Sequence, residues 1–295
     1  MNLISKKRGR IIVSRKGFFT VDSENELCVC KACTRLRLEK KEPLCGDIVA
    51  YNDNGDGTGF ITDLEPRKNF FPRPGVANAD MLVIVIASAN PQPDLFYVDK
   101  MTCIGVKAAA EIIIVVNKTD LKNADEYVGI YKKCGFRTFK TRSDTGDGIE
   151  ELKNCLSGKI AVFAGPSGVG KSSLLNAMYP EYNAVTGTLS QKIMRGKNTT
   201  RHIELFKTSS GGYIADTPGF TSIDFEKFDL LAFSELKGSF PEMQEYMTDC
   251  RFRNCGHTKE SGCAVISAVE CGNIPKSRHE SYVRLFELLK NKTLY

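Results

Sequence analysis

The apolar run KIAVFA (residues 159–164) stops at Gly165-Pro166-Ser167-Gly168-Val169-Gly170-Lys171-Ser172, and a helix-like stretch, Lys171–Met178, follows at once. Strand, glycine-rich turn and helix in immediate succession restrict the fold, because such a turn forms where a buried strand hands over to a covering helix. The glycines let successive backbone N–H groups line a concave turn, and the helix start adds the positive end of its dipole. A polyphosphate is the ligand that suits this geometry. Lys171 is expected to reach the outer phosphates and Ser172 to ligate Mg²⁺. Gly165, Pro166, Ser167, Gly168, Val169, Gly170 and Ser173 complete the expected cradle.

Around this turn the pattern is α/β. Fully apolar strands, MLVIVIA, EIIIVVN and KIAVFAG, alternate with helix-like stretches such as residues 125–134, which implies a parallel sheet covered on both faces. The first 65 or so residues differ: IIVSRKGFFTV, ELCVC, GDIVAYN and GFITDLEP read as short strands separated by Gly, Asp and Asn turns. Four or five strands without a helix suggest a small β-barrel of the OB-fold kind. Beyond about Phe225 the sequence turns helical and cysteine-containing, and it ends in an amphipathic helix near residues 282–289. The expected division is an OB-fold RNA-binding domain over residues 1–68, an α/β P-loop domain over 69–224 and a mainly helical zinc-binding domain over 225–295. A length of 295 residues accommodates this, at about 100–200 residues per domain.

Composition narrows the class further. With 42% apolar and 26% charged residues the chain is not mainly disordered, and its longest apolar runs are too short to cross a bilayer. No secretion signal is read at the N-terminus, and the 11 cysteines therefore suggest reduced thiols and a metal site in a soluble, cytoplasmic protein. Residues 1–41 hold 11 Lys/Arg against 4 Asp/Glu, whereas the rest of the chain is close to neutral. That concentration of positive charge points to a polyanion-binding surface on the first domain.

Asn117-Lys118-Thr119-Asp120 follows the strand EIIIVV, at the strand end where open α/β sheets bind ligands. A carboxylate there accepts from the ring N–H and 2-amino group of guanine, donors that adenine lacks. Asn117 is expected to hold the loop and the stem of Lys118 to cover the base, which disfavours an ATP-using kinase. Asp216-Thr217-Pro218-Gly219 ends another strand: Asp216 suits a water-mediated hold on Mg²⁺, and the Gly219 N–H suits a γ-phosphate sensor. The polar loop of residues 187–201 carries Thr199 and Thr200, and Thr200 is expected to close over Mg²⁺ and γ-phosphate. Lys171, Ser172, Thr200, Asp216 and Gly219 thus form the candidate catalytic set. Ordinary GTPases place the phosphate loop first and N-K-x-D near the end; here N-K-T-D precedes the phosphate loop and D-T-P-G comes last. A circularly permuted GTPase reconciles that order with one sheet.

Cys250, Cys255, His257 and Cys263 supply three thiolates and an imidazole within 14 residues. They complete a tetrahedral Zn²⁺ shell with no open position, the mark of a structural site. Cys28, Cys30 and Cys33 read as ordinary thiols, and Cys271 as a bystander.

A β-barrel, a permuted GTPase and a Cys/His tail, with RKNFFPRP and VANAD at the first junction, closely resemble the YjeQ (RsgA) family of small-ribosomal-subunit biogenesis GTPases, over nearly the whole chain. The resemblance implies late maturation of the small ribosomal subunit, binding to that subunit and its rRNA, and GTP hydrolysis stimulated by it. It implies one structural zinc, Mg²⁺ with GTP, GTP and GDP as ligands and no membrane partner; we expect a monomer. The sequence departs from the family in two places. Asn198 stands where members often carry a histidine before the paired threonines, and the S-A-x-T-G loop beside the base reads Arg142-Ser143-Asp144-Thr145-Gly146. Phe220 replaces the glutamine that many GTPases place after D-x-x-G, and His202 is read as a packing or surface residue. These residues motivate an alternative, a GTP-regulated RNA-binding module with negligible turnover.

Overall fold

The computed structural model describes residues 5–24, 26–72, 75–182, 203–216 and 230–292. The switch loop of residues 187–201, with Asn198, Thr199 and Thr200, lies outside them, as do His202, Gly219 and Phe220. By internal packing the chain divides into two units: Met1–Met81, Lys153–Phe163 and Met178–Phe220, and then Leu82–Leu152, Ala164–Ala177 and Thr221–Tyr295.

In the first unit β1 (Ser5–Arg15), β2 (Phe18–Ser23), β3 (Glu26–Ala32), β4 (Ile48–Asp53) and β5 (Thr58–Leu64) pair in the order β1-β2-β3-β5-β4. The long strand β1 closes the ring by serving two neighbours. Its first half, Ser5–Arg10, pairs with β4, and its second half pairs with β2 across a bulge between Ile11 and Val13. Among the described pairings of these five strands, β3 with β5 is the parallel one. Ile11, Val21, Cys30, Val49, Tyr51 and Ile61 fill the interior, where alternation along each strand places them. This is the expected five-stranded barrel, with two corrections. IIVSRKGFFTV is not one strand, because Lys16 and Gly17 both take positive φ (50° and 80°) and turn the chain between β1 and β2. Nor is the barrel without a helix: α1 (Thr34–Leu38) buries Leu36 completely.

A hairpin of β6 (Phe70–Pro72) and β7 (Gly75–Ala77) occupies the RKNFFPRP junction. The unit also holds the parallel pair β11 (Ile160–Ala164) and β13 (Tyr213–Asp216), with β12 (Ile203–Lys207) antiparallel to β13. Strand β12 pairs with β1 at Val13 and Ser14. Beside that seam Asp22 accepts from Lys207 at 2.8 Å and from the Tyr213 hydroxyl at 3.0 Å, and Arg10 lies 5.5 Å over the Tyr213 ring.

Those contacts alter the reading of the basic N-terminal region. Lys7 pairs with Glu26 and Asp53 at 2.7 and 2.9 Å, Arg8 with Glu65, and Arg10 donates to the Gly46 carbonyl. Much of the local excess is therefore neutralised within the barrel. Among the described residues Lys6, Arg15 and Lys16 carry no such ion pair and are exposed.

The second unit is built on β8 (Met81–Ala87), β9 (Glu111–Asn117) and β10 (Arg137–Lys140), in the order β10-β9-β8. β10 and β9 run parallel, and every residue of β8 is buried, as the continuous apolar run requires. The connecting helices are α2 (Leu95–Lys107), α3 (Asp125–Lys133) and α4 (Ile149–Cys155), and α2 starts where the Asp94 carboxylate accepts from the Tyr97 N–H. Helix α5 (Lys171–Met178) follows the phosphate loop. Among the described residues the C-terminal part holds three single-turn helices, then α6 (Gln244–Met247), α7 (Ala264–Glu270) and α8 (Lys276–Lys292). α8 is longer than the sequence suggested.

Arg278 of α8 is fully buried, donating to Asp99 at 2.7 Å, to Thr102 at 2.9 Å and to Glu242 at 2.6 Å. It lies 4.6 Å from the centre of the Phe240 ring. A buried cation between two carboxylates ties α8 to α2, and removing one member of such a group costs roughly 3–5 kcal/mol because its partners are left uncompensated.

Candidate nucleotide site and metal centre

The phosphate loop needs glycine at two positions for steric reasons. Gly165 has φ of 149°, and a Cβ there would fall 2.2 Å from the Val85 carbonyl oxygen. Gly170 has φ of 92°, and its Cβ would meet the Asn117 amide nitrogen at 2.5 Å. The second clash shows how close two sequence-distant motifs come. Asn117 is buried, and its Nδ2 donates to the Val169 carbonyl at 3.1 Å. Its Oδ1 accepts from the hydroxyls of Thr141 and Ser143, both at 3.1 Å. Lys118 reaches across to the carbonyls of Gly168 at 2.7 Å and Asn90 at 2.6 Å.

Lys118 takes a positive φ of 59°, a conformation that costs a side-chain-bearing residue about 1–3 kcal/mol and needs support from its surroundings. The ammonium contacts supply that support at one end, and the Ser88 hydroxyl, donating to the Lys118 carbonyl, supplies it at the other. Thr119 contacts the Thr141 carbonyl through its backbone N–H and its hydroxyl. Asp120 is one-third exposed, with Arg142 Nε 4.0 Å from its Oδ1. The N-K-T-D loop is thus fastened to the phosphate loop, and its acidic end stays accessible.

Within the phosphate loop the Lys171 ammonium donates to the carbonyls of Gly165 (2.6 Å) and Pro166 (3.1 Å). Ser172 and Ser173 open α5 and are exposed, while Leu174 and Leu175 bury its other face. A positive side chain and a helix start on one glycine-rich turn suit an anion.

Asp216 ends β13 in the first unit, where its Oδ2 accepts from the Tyr182 hydroxyl at 2.8 Å. Burial, and then the Asp216 charge, push the Tyr182 phenol well above its ordinary range, so it keeps its proton and donates. Sequence reasoning missed Tyr182, Ser88 and Thr141, since no motif marks a residue whose role is to hold another. Of the candidate set, Thr200 and Gly219 lie outside the described residues.

The four candidate metal ligands converge, all their ligand atoms lying within 4.8 Å of one another. Cys250 Sγ and Cys263 Sγ are 3.8 Å apart, and each is 3.5 Å from His257 Nδ1. A tetrahedral ion with Zn–S near 2.3 Å and Zn–N near 2.0–2.1 Å requires edges of about 3.8 and 3.5 Å, so the donor set fits zinc. The loop is fastened from within and from outside. Glu260 accepts from the N–H groups of Gly256, Thr258 and Lys259 at 2.7, 2.8 and 3.0 Å. Burial alone would raise its carboxyl, but those donors outweigh it and hold the group down at about 2. Lys237 donates to the Cys255 carbonyl, Tyr282 to that of Gly256 and His279 Nε2 to that of His257. None of the 11 cysteines is in a disulfide, and Cys28 and Cys30 are buried on β3 with sulfurs 3.6 Å apart.

The RsgA GTPase family model matches residues 64–226, and the RsgA N-terminal domain model matches residues 8–61. The small ribosomal subunit biogenesis GTPase RsgA of Moorella thermoacetica is 42% identical over 278 residues, 93% of this chain and 94% of its own. Its namesake from Caldanaerobacter subterraneus is 38% identical over 288 residues, 97% and 96% of the two chains. Among solved structures, YjeQ from Thermotoga maritima superposes with a TM-score of 0.80 at 35% identity, covering 97% of this chain and 99% of its own. YloQ, described as a circularly permuted GTPase, gives 0.79 at 32%, covering 98% and 96%.

Proposed function

The chain belongs to the RsgA GTPase family, and on that premise we propose that it hydrolyses GTP while bound to the small ribosomal subunit and its rRNA, assisting late maturation of that subunit. The single observation that carries the guanine-nucleotide part is the fastening of N-K-T-D to the phosphate loop through Asn117–Val169 and Lys118–Gly168. Those contacts hold the loop of a base-reading carboxylate against a phosphate cradle. In this reading Asp120 reads the base, Asn117 and Thr119 fix its loop, and Lys118 flanks the ring. The loop from Gly165 to Ser173 binds the phosphates, with Lys171 on the outer ones. Mg²⁺, when bound, neutralises developing charge on the phosphates; Ser172, Thr200 and Asp216 are the residues suited to hold it, and Gly219 to sense the γ-phosphate. One zinc held by Cys250, Cys255, His257 and Cys263 has a structural role.

We assign residues 1–68 to RNA contact, 69–224 to the GTPase and 225–295 to the zinc-binding part, in a protein acting as a cytoplasmic monomer. Among the described residues no helix is long and apolar enough to cross a membrane. GTP turnover measured with and without purified small subunits tests the reading: stimulation is expected. Turnover that stays negligible in both favours the alternative to which Asn198 and Phe220 point, a GTP-regulated RNA-binding module.

Base choice is tested separately. Asp120→Asn is expected to weaken GTP binding by about tenfold or more, since a charged acceptor is lost, and to improve the relative affinity for xanthosine triphosphate. Nucleotide competition reads both, and an unchanged preference for GTP would remove N-K-T-D from the base site. For RNA contact the exposed cations matter. Glutamate at Lys6, Arg15 and Lys16 together is expected to weaken subunit binding and flatten its salt dependence, because fewer counterions are released. Arg10→Ala should instead loosen the barrel seam, since Arg10 serves Gly46 and Tyr213.

A further inference from the structure

Tyr182 belongs to no motif, yet backbone, ring and hydroxyl are each held. Its N–H donates to the Tyr179 carbonyl at 2.9 Å, which fixes the chain in a turn just past α5. The buried ring packs edge-on against Phe206 of β12, with centroids 5.2 Å apart and planes at 87°. The hydroxyl donates to Asp216 Oδ2 at 2.8 Å. Asp216 is placed by the sheet as well: it closes β13 and is paired there with the fully buried Phe163 of the parallel strand β11.

A carboxylate has two accepting oxygens. The phenol takes Oδ2 of Asp216, and among the described residues no hydrogen bond is made to Oδ1. Asp216 is half-buried, so one oxygen is held by the protein while the other stays available. Mg²⁺ demands near-octahedral geometry and keeps several of its waters, so a carboxylate that holds one of those waters must be set in one orientation. Groups that hydrogen-bond such a carboxylate supply that orientation, and losing one typically costs 10–100-fold in metal affinity or activity. The phenol also draws charge from the carboxylate, an effect of opposite sign. Orientation is expected to win, because Asp216 ends its strand and the phenol is the side-chain tether that the described residues give it.

We propose that Tyr182 is a positioning residue for nucleotide binding: by holding Oδ2 of Asp216 it leaves Oδ1 turned to a single use, the water-mediated hold on Mg²⁺, an inference that rests on reading Asp216 as the carboxylate on the Mg²⁺ side. Phe206 supports the same arrangement by fixing the plane of the Tyr182 ring. Phenylalanine at position 182 would fill the same space against Phe206 but leave the carboxylate free to turn about its side-chain torsions.

Equilibrium binding of a fluorescent, non-hydrolysable GTP analogue to the full chain, measured from EDTA to saturating free Mg²⁺, tests the assignment. In the parent the affinity should rise with Mg²⁺ and define a midpoint concentration. Tyr182→Phe should move that midpoint about tenfold upward while leaving the affinity in EDTA unchanged. Phe206→Leu, which loosens the ring, should move it part of the way. In an Asp216→Asn background Tyr182→Phe should have no further effect, since the carboxylate it orients is gone. The assignment is overturned if the Tyr182→Phe midpoint stays in place or falls. It is equally overturned if the affinity in EDTA drops by the same factor, the mark of a packing role, or if the shift persists in the Asp216→Asn background. A parent that ignores Mg²⁺, or an Asp216→Asn midpoint equal to the parent's, would remove the Mg²⁺ reading of Asp216 and the proposal with it, so the two failures are told apart.

Discussion

Lys171→Ala is expected to lower GTP affinity by about a hundredfold or more and to abolish turnover, while leaving fold and zinc content unchanged. The ammonium donates to the carbonyls of Gly165 and Pro166 on its own loop. In the proposed reading the phosphates replace those two contacts, because a phosphate oxygen is a stronger acceptor for a cation than a peptide carbonyl. Each charge-assisted bond contributes about 1.5–3 kcal/mol, and the loss of contacts to two phosphates accounts for the expected factor. The loop itself should survive, since its shape depends on Gly165, Gly170 and the Asn117–Val169 bond rather than on the lysine. Titration with a fluorescent GTP analogue measures the change, and affinity within threefold of the parent would refute the assignment. Gly170→Ala should reach a similar loss by another route: its Cβ would strike Asn117 and separate base reader from phosphate cradle.

That contrast shows what a linear sequence discloses. The phosphate loop, N-K-T-D and the Cys/His cluster were legible because their chemistry demands fixed residue types at short spacings. The barrel was legible from short stretches rich in β-branched and aromatic residues, set apart by Gly, Asp and Asn turns. Roles set by partners far along the chain were not. Arg278 meets Asp99 across 179 positions, and nothing in the helix around it marks it as buried. Tyr182 is a tyrosine after a helix until the fold brings Asp216 to its hydroxyl. The partners of the basic N-terminal stretch were hidden for the same reason. Its charges were counted by position, but Asp53 and Glu65, which neutralise Lys7 and Arg8, come from the end of β4 and from the residue after β5. Helix α1 was lost to its length, five residues with only Leu36 turned inward.

Removal of the metal should have the largest effect on stability. Freshly purified reduced protein should contain about one zinc, and Cys255→Ser or a strong chelator should remove it. Apparent binding free energies of structural zinc in small domains reach about 10–16 kcal/mol, and a site of this kind contributes that energy to folding. The consequences should spread along the contacts of the loop rather than uniformly. Lys237, Tyr282 and His279 each bond a carbonyl of the ligand loop, at 2.7, 3.0 and 2.7 Å, so its release leaves three donors without partners. Helix α8, however, is held a second time by Arg278 on Asp99 and Glu242, upstream of Tyr282 and independent of any metal. Hydrogen exchange should therefore rise sharply over residues 250–263 and in the turns around Tyr282, and more weakly at Arg278 itself. GTP binding should persist, because Asn117–Asp120 and the phosphate loop share no bond with the ligand loop among the contacts described. The double variant Cys255→Ser, Arg278→Met should lose both anchors and release α8 altogether. Protection unchanged after zinc removal would show that the four ligands do not carry the fold of this region, and metal analysis finding no zinc would defeat the assignment outright.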